Sequence, residues 1–235
     1  LDPPVSEKEA RTERARRAAE ATWRLAAPAS DDHPYLQRKG VGPHGLRCDS
    51  AGRLVVPLCD LDGLLHTVEF IAEDGGKRYL AGGAKAGHFC LIGGPLDSAQ
   101  TILICEGWAT GASVHEASGL AVVAAMDAGN LGKVAASLRQ RFPDAAITII
   151  ADNDEKPDRQ DNPGVAAATK AARAIGARLA IPPAPGDVND LAAARGLEAI
   201  TRLIAEADFV PEPEPTYPAP KLSAAEARAR LYEHI

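Results

Sequence analysis

From residue 101 onward, short apolar runs alternate with stretches of helical character, and no other feature restricts the possible folds so tightly. Strands are predicted over 101–105, 120–124, 146–151 and 178–181, and helices over about 109–118, 131–141 and 165–175, with helical segments across 188–207. A helix between two strands carries the chain back to the edge it left, so such strands lie parallel. Ligands of an open parallel sheet bind beyond the carboxyl ends of its strands. Glu106-Gly107 stands at the end of the first strand, Asp152-Asn153-Asp154 at the end of the third, and Asp187 and Asp190 follow the fourth. Three strand ends thus bring carboxylates to one edge.

Asp152 and Asp154 are two residues apart, so an extended chain points both side chains to the same side, as two ligands of one ion require. Oxygen donors suit a hard cation. Magnesium keeps positions open for water and phosphate oxygens, so a partly filled carboxylate cluster predicts a phosphate-bearing substrate. Gly107 is expected to let the chain turn sharply and a phosphate approach the backbone ahead of the following helix. Taken singly these signals are weak. A Glu-Gly pair says nothing, an Asp-x-Asp after a strand is often a solvated loop, and the run from Asp152 to Asp158 has Pro157 where a calcium loop wants glycine. Their occurrence in order, each at a strand end, carries the reading of a metal site.

The first half of the chain has a different pattern. Ser6 and Glu9 have the spacing of a capping box ahead of an Ala/Arg/Glu stretch to about residue 27, a helix whose buried face would come from Trp23 and Leu25. A short helical piece over 35–39 stops at Gly40 and Gly42. Runs at 54–58 and 64–71, separated by Asp60-Leu61-Asp62-Gly63, predict a hairpin. A segment rich in Gly and Lys follows, with Lys77-Arg78, Gly82-Gly83 and Lys85, and then a short strand over 88–92. Past 207, Pro211-Glu212-Pro213-Glu214-Pro215 reads as an extended spacer and 223–235 as the start of a further helix. The expected organisation is a helical and small α+β portion over 1–95, an α/β domain over 96–207, and a spacer with the start of a helix over 208–235.

With 26 Lys+Arg against 32 Asp+Glu, the net charge of -6 opposes indiscriminate binding of phosphate backbone over the whole surface. Contact with nucleic acid then has to be local. Lys77, Arg78 and Lys85 are the candidate basic flap, which Arg38, Lys39, Arg47 and Arg53 would extend. The four cysteines, Cys48, Cys59, Cys90 and Cys105, form no C-x-x-C pair and read as reduced thiols rather than a disulfide framework or zinc ribbon. No apolar run suits a membrane span or a signal peptide, so a soluble, cytoplasmic chain is expected. It begins at Leu1 and ends in an unfinished helix-like stretch, the pattern of a fragment of something longer. Asn130 reads as a helix N-cap or a substrate contact, His88 as a strand histidine, and Trp108 as a core residue, with base stacking the alternative.

Three of these motifs, Cys105-Glu106-Gly107, Ala151-Asp152-Asn153-Asp154 and Gly186-Asp187-Val188-Asn189-Asp190, resemble those of the Toprim domain of bacterial primases, topoisomerases and some nucleases, over about 96–207. More narrowly, residues 104–111, Asp127-Ala128-Gly129-Asn130-Leu131, and Lys77-Arg78-Tyr79 with Gly82-Gly83 are similar to primases of phages and conjugative plasmids, over about 34–207. The resemblance implies a Toprim-like parallel sheet flanked by helices. It also implies magnesium-dependent synthesis of short primers on a single-stranded DNA template from nucleoside triphosphates, in a mobile-element primase with a helicase or relaxase domain in the same chain or complex. Glu106 would be the general acid/base or a metal ligand beside the attacking 3′-hydroxyl. Asp152 and Asp154 would hold magnesium, or manganese in its place, and Asp187 would complete the shell. Lys77, Arg78, Lys85, Gly107 and Asn130 would contact nucleic acid or nucleotide. The hydroxyl is a poor nucleophile near neutral pH and the departing pyrophosphate is highly charged, difficulties that a metal and a carboxylate base address together. Replicative primases place another acidic residue four positions after the motif glutamate, where this chain has Thr110, so the number of metals stays open. A metal-dependent nuclease using the same carboxylates and a non-catalytic docking module of a larger relaxase or helicase are the alternatives. A topoisomerase would need strand-passage domains for which there is no room.

Overall fold

The computed structural model describes residues 6–96, 99–156, 158 and 161–211. Helix α1 (Glu7–Leu25) opens on the predicted capping box: Glu9 N donates to Ser6 Oγ at 3.2 Å and Ser6 N donates to Glu9 Oε2 at 2.8 Å. Its packing face matches the expected one in part. Ala19, with Ala26 just past the helix end, meets Val55, Val68 and Phe70, and Trp23 packs against them under the Arg47 guanidinium, while Leu25 is 81% exposed.

That first sheet is antiparallel and five-stranded. It contains β1 (Ala27–Pro28) and, after the short helix α2 (Pro34–Lys39), β2 (Arg47–Cys48), β3 (Leu54–Cys59), β4 (Leu65–Ile71) and β5 (Lys77–Tyr79), paired in that order. The predicted hairpin is the central β3–β4 pair; the outer strands have two or three residues, too few for periodicity to reveal. Side chains alternate along β3. Val55 faces α1, whereas Leu54, Val56 and Leu58 join the core shared with the second sheet.

The second sheet is built from β6 (Cys90–Ile92), β7 (Thr101–Cys105), α3 (Trp108–Ser118), β8 (Val122–Ala124), α4 (Ala128–Arg141), β9 (Ala146–Ile150), α5 (Pro163–Ile175), β10 (Arg178–Ala180), α6 (Val188–Arg195), α7 (Leu197–Ala205) and β11 (Asp208–Phe209). Its strand order is β11-β10-β9-β7-β8-β6. The four inner strands are parallel, as the alternating pattern requires, and β6 and β11 add antiparallel edges. Both edges lie across the expected boundaries at 95/96 and 207/208, because pairing at a sheet margin is decided by tertiary contact and leaves little trace in two or three residues. The Pro-rich run beyond Pro211 and the helix expected over 223–235 lie outside the described residues.

From β7 the chain moves to β8 on one side and then crosses to β9 on the other. This reversal opens a crevice at the carboxyl ends of the strands. Leu103 and Cys105 pack toward α3 with Trp108 and Ala112, while Ile102, Ile104, Ile147 and Ile149 pack toward α4 and α5 with Leu131, Val134 and Ala168. The core on the α3 side continues without a break to Leu36, Val56 and Ile71 of the first sheet. Trp108 is fully buried inside it, so it is a core residue with no face free for a base. Among the described residues no helix is long and apolar enough to cross a membrane.

Candidate active site

Parallel register sets Ile104 beside Ile149 and Cys105 beside Ala124, so the chain leaves β7, β8 and β9 at one level. Glu106 and Asp152 emerge there and, with Asp187 at the start of α6, line a cleft of about 280 Å³. Its opposite wall comes from the first half of the chain, with Tyr35, Arg38 and Lys39 of α2 and Lys77 of β5. Burial pushes the Glu106 carboxyl up, and the charges of Asp154 and Asp127 add to this. Asp152 is pushed up to about 7, first by burial and then by the charges of Glu106, Asp187 and Asp154. Lys77 opposes both shifts with its positive charge. Asp152 Oδ1 is buried with no hydrogen-bond partner, a costly state for a carboxylate oxygen that a proton or a cation would relieve.

Asp154 is placed differently from its expected position. Strand β9 ends at Ile150, and Asn153 forms a two-way backbone bridge with Gly186 while its side-chain amide donates to Pro182 O at 3.0 Å. Asp154 then turns toward α5, where its Oδ2 accepts from Gly164 N at 3.0 Å, a favourable place for an anion at a helix start. Asp154 therefore stands beside the cleft, close enough to act electrostatically on Glu106 and Asp152 but not lining it with them. Among the described residues no three acidic, histidine or cysteine side chains form a ready-made metal site. The donors themselves fit a hard divalent cation: they are carboxylate oxygens, mutually repelling, one of them orphaned.

Gly164 controls this turn, and neither it nor Asn162 stood out in the sequence. A Cβ at Gly164 would press on the Asp152 carbonyl oxygen and come within 2.8 Å of Asp154 Oδ2. Gly164→Ala is expected to displace α5 or the 152–154 turn, at a cost of about 1–3 kcal/mol. Thermal unfolding measures it; an unaltered curve refutes it.

A second strained point adjoins Glu106. Met126 has φ +72, in the left-handed region that a non-glycine residue occupies at a cost. It is held there by donating N–H to Glu106 O at 2.7 Å and accepting from the Tyr79 hydroxyl at 2.9 Å. Tyr79→Phe is expected to lower stability by about 1 kcal/mol, read by urea unfolding, because the Met126 carbonyl loses its partner.

The expected nucleotide contacts divide. Alternation along β5 turns Lys77 and Tyr79 to one face and Arg78 to the other, and only Lys77 of the two basic residues lines the cleft. Lys85 ion-pairs with Asp127 and lies over the Tyr79 ring, 4.7 Å from its centroid. Asn130 is neither an N-cap nor free for a substrate: Asp127 caps α4, and Asn130 is buried with its amide fully used. Its Nδ2 donates to His88 O at 2.9 Å and Ala125 O at 2.8 Å, and its Oδ1 accepts from Gly87 N at 2.7 Å, which ties the Gly-rich segment to the second sheet. Gly107 has φ -102, which any residue adopts, so the turn does not require glycine; its missing side chain instead leaves the N-terminus of α3 open toward the cleft.

Fold and strand-end carboxylates agree with the family that residues 101–198 match, the Toprim domain. Over 167 residues, 68% of its length, the chain is 40% identical to the DNA primase TraC of Escherichia coli, of which it spans 16%. The fold is shared with the primase fragment of the bacteriophage T7 primase-helicase protein, with TM-score 0.57 and 16% identity over 76% of this chain and 80% of that one. It is also shared with the RNA polymerase domain of Mycobacterium tuberculosis primase DnaG, with TM-score 0.52 and 19% identity over 87% and 78% of the two chains. The α/β fold expected from the motifs is the fold found.

Proposed function

We propose that the chain is the catalytic part of a DNA primase, which joins nucleoside triphosphates into short primers on single-stranded DNA. One observation carries the reading: across a cleft of about 280 Å³, carboxylates at strand ends face a basic wall. Polymerisation needs both, acids to handle a cation and a hydroxyl proton, cations to receive a triphosphate. In this reading residues 1–95 supply the basic wall and 96–207 the acids, while 208–235 lead to a further domain such as a helicase or relaxase.

Glu106 acts as the base. Its buried carboxyl has a raised proton affinity, which suits it to take the proton of a 3′-hydroxyl near neutral pH. Asp152, with Asp154 beside it, would hold magnesium or manganese, which when bound lowers the pKa of the hydroxyl and draws charge from the phosphate oxygens. Lys77 and Arg38 offset the charge that builds on the departing pyrophosphate. The N-terminus of α3, left open at Gly107, offers backbone N–H groups to a phosphate. In this reading the protein works in the cytoplasm, on a template of a mobile element.

Incubating the 235-residue chain with labelled triphosphates, single-stranded DNA and magnesium, beside its Glu106→Gln variant, tests the reading. New labelled oligonucleotides lost in the variant support it. Shortened DNA alone overturns it in favour of a nuclease, and absence of any product in favour of a docking module.

A further inference from the structure

The last residue of α2 reaches across the cleft. Lys39 Nζ lies 3.7 Å from Asp187 Oδ2, with about a quarter of each side chain exposed (26% and 25%). Neither partner is free to wander. Asp187 caps α6: its Oδ1 accepts from Asp190 N at 2.8 Å, and its own N–H donates to Asp190 Oδ2 at 3.1 Å. Lys39 is fixed through its backbone, since Gly40 ends α2 in the left-handed conformation and Asn189 Nδ2 donates to Lys39 O at 2.7 Å. The same amide donates to Ser113 Oγ of α3 at 2.9 Å, and Asn189 is buried, so one side chain clamps α2, α3 and α6 together.

We propose that Lys39 supplies to Asp187 the positive charge that a second divalent ion would otherwise bring, so that the cleft holds a single divalent ion on the Glu106, Asp152 and Asp154 side. The inference rests on the metal reading given above. It makes Asn189 a positioning residue and removes Asp187 from the shell in which the sequence set it.

Charge balance agrees. Asp74, Glu106, Asp152 and Asp187 line the cleft with Arg38, Lys39 and Lys77, and Asp154 stands beside it. Five carboxylates against three cations leave two negative charges, which one divalent ion balances. A second ion near Asp187 would face the Lys39 ammonium at close range, where like charges are screened little by water. Thr110, which also lines the cleft, adds no charge to hold it.

Titration with manganese, counting free ion by electron paramagnetic resonance, reads the stoichiometry without requiring activity. The full chain is expected to bind one ion, Lys39→Arg one, Lys39→Met two, and Lys39→Met combined with Asp187→Asn one again. The second ion of Lys39→Met should bind at least about tenfold more tightly than any second ion of the parent. One ion in both parent and a folded Lys39→Met, or two in both, overturns the inference and leaves the metal reading standing. No ion in either overturns both. Should Lys39→Met fail to fold, Lys39→Gln is counted in its place: two ions support the inference, and one overturns it.

Discussion

Glu106→Gln is expected to lower primer synthesis by about 10²–10⁴-fold, the contribution of a positioned general base, while the chain stays folded. Glutamine keeps the shape of the side chain and removes only the ionisable oxygen. Burial and the neighbouring Asp154 and Asp127 charges already disfavour the Glu106 anion, so losing that anion does not destabilise the native state. The pH profile separates this role from a structural one. A base works only when unprotonated, and the Glu106 carboxyl is held above the usual carboxylate range of about 4.3. The parent rate should therefore climb with pH as Glu106 loses its proton, and the residual rate of the variant should lack this limb. A loss smaller than about tenfold, or an unchanged acid limb, would remove Glu106 from the chemistry.

The second large effect concerns stability and has opposite signs with and without metal. Asp152 is pushed up to about 7 in the folded chain, against an ordinary value of 3.8. A group whose pKa is raised on folding favours the native state fully at pH below its unfolded value. That contribution is lost as pH rises through the folded value, here across the window from about 4 to 7. At about pH 8 without metal, the parent carries a buried, repelled carboxylate, and Asp152→Asn removes it. At about 1.4 kcal/mol per pH unit, the gain is on the order of a few kcal/mol, or about 5 °C or more in Tm for a chain of this size. The difference between parent and variant should vanish near pH 4. On the proposed metal reading, a divalent ion reverses the order at pH 8, because it stabilises more the chain that holds it more tightly. Scanning calorimetry at both pH values, with and without the ion, checks all four corners; a variant less stable than the parent in metal-free buffer at pH 8 sinks the account of Asp152.

Much of this was legible in the sequence because it rests on local rules. The inner strands, the helices between them and the acids at strand ends follow from apolar periodicity and from the direction of a parallel sheet. The capping box at Ser6 and Glu9 is written in four residues. What stayed hidden depends on contacts between distant segments. Nothing local to Asn130 says that its amide will join residues 87 and 88 to 125, and nothing near Met126 announces a left-handed backbone. The divergence of Asp154 from Asp152 arises beyond β9, where Asn153 pairs with Gly186 and Asp154 Oδ2 meets Gly164 N, contacts with segments distant in the sequence. On α1, Trp23 packs against the sheet beside Ala19 while Leu25 stays exposed, because the last turn of a helix shows by apolar size alone neither where it leaves the sheet nor which way it faces.

The buried side chains that run from Leu36 through Val56 to Trp108, with Asn189 bolting α2 to α6, leave no hinge between the two walls of the cleft. Moving one wall against the other would disrupt that core. On the proposed function, walls so joined would offer a nucleotide and a strand end a slot of set width rather than a closing jaw.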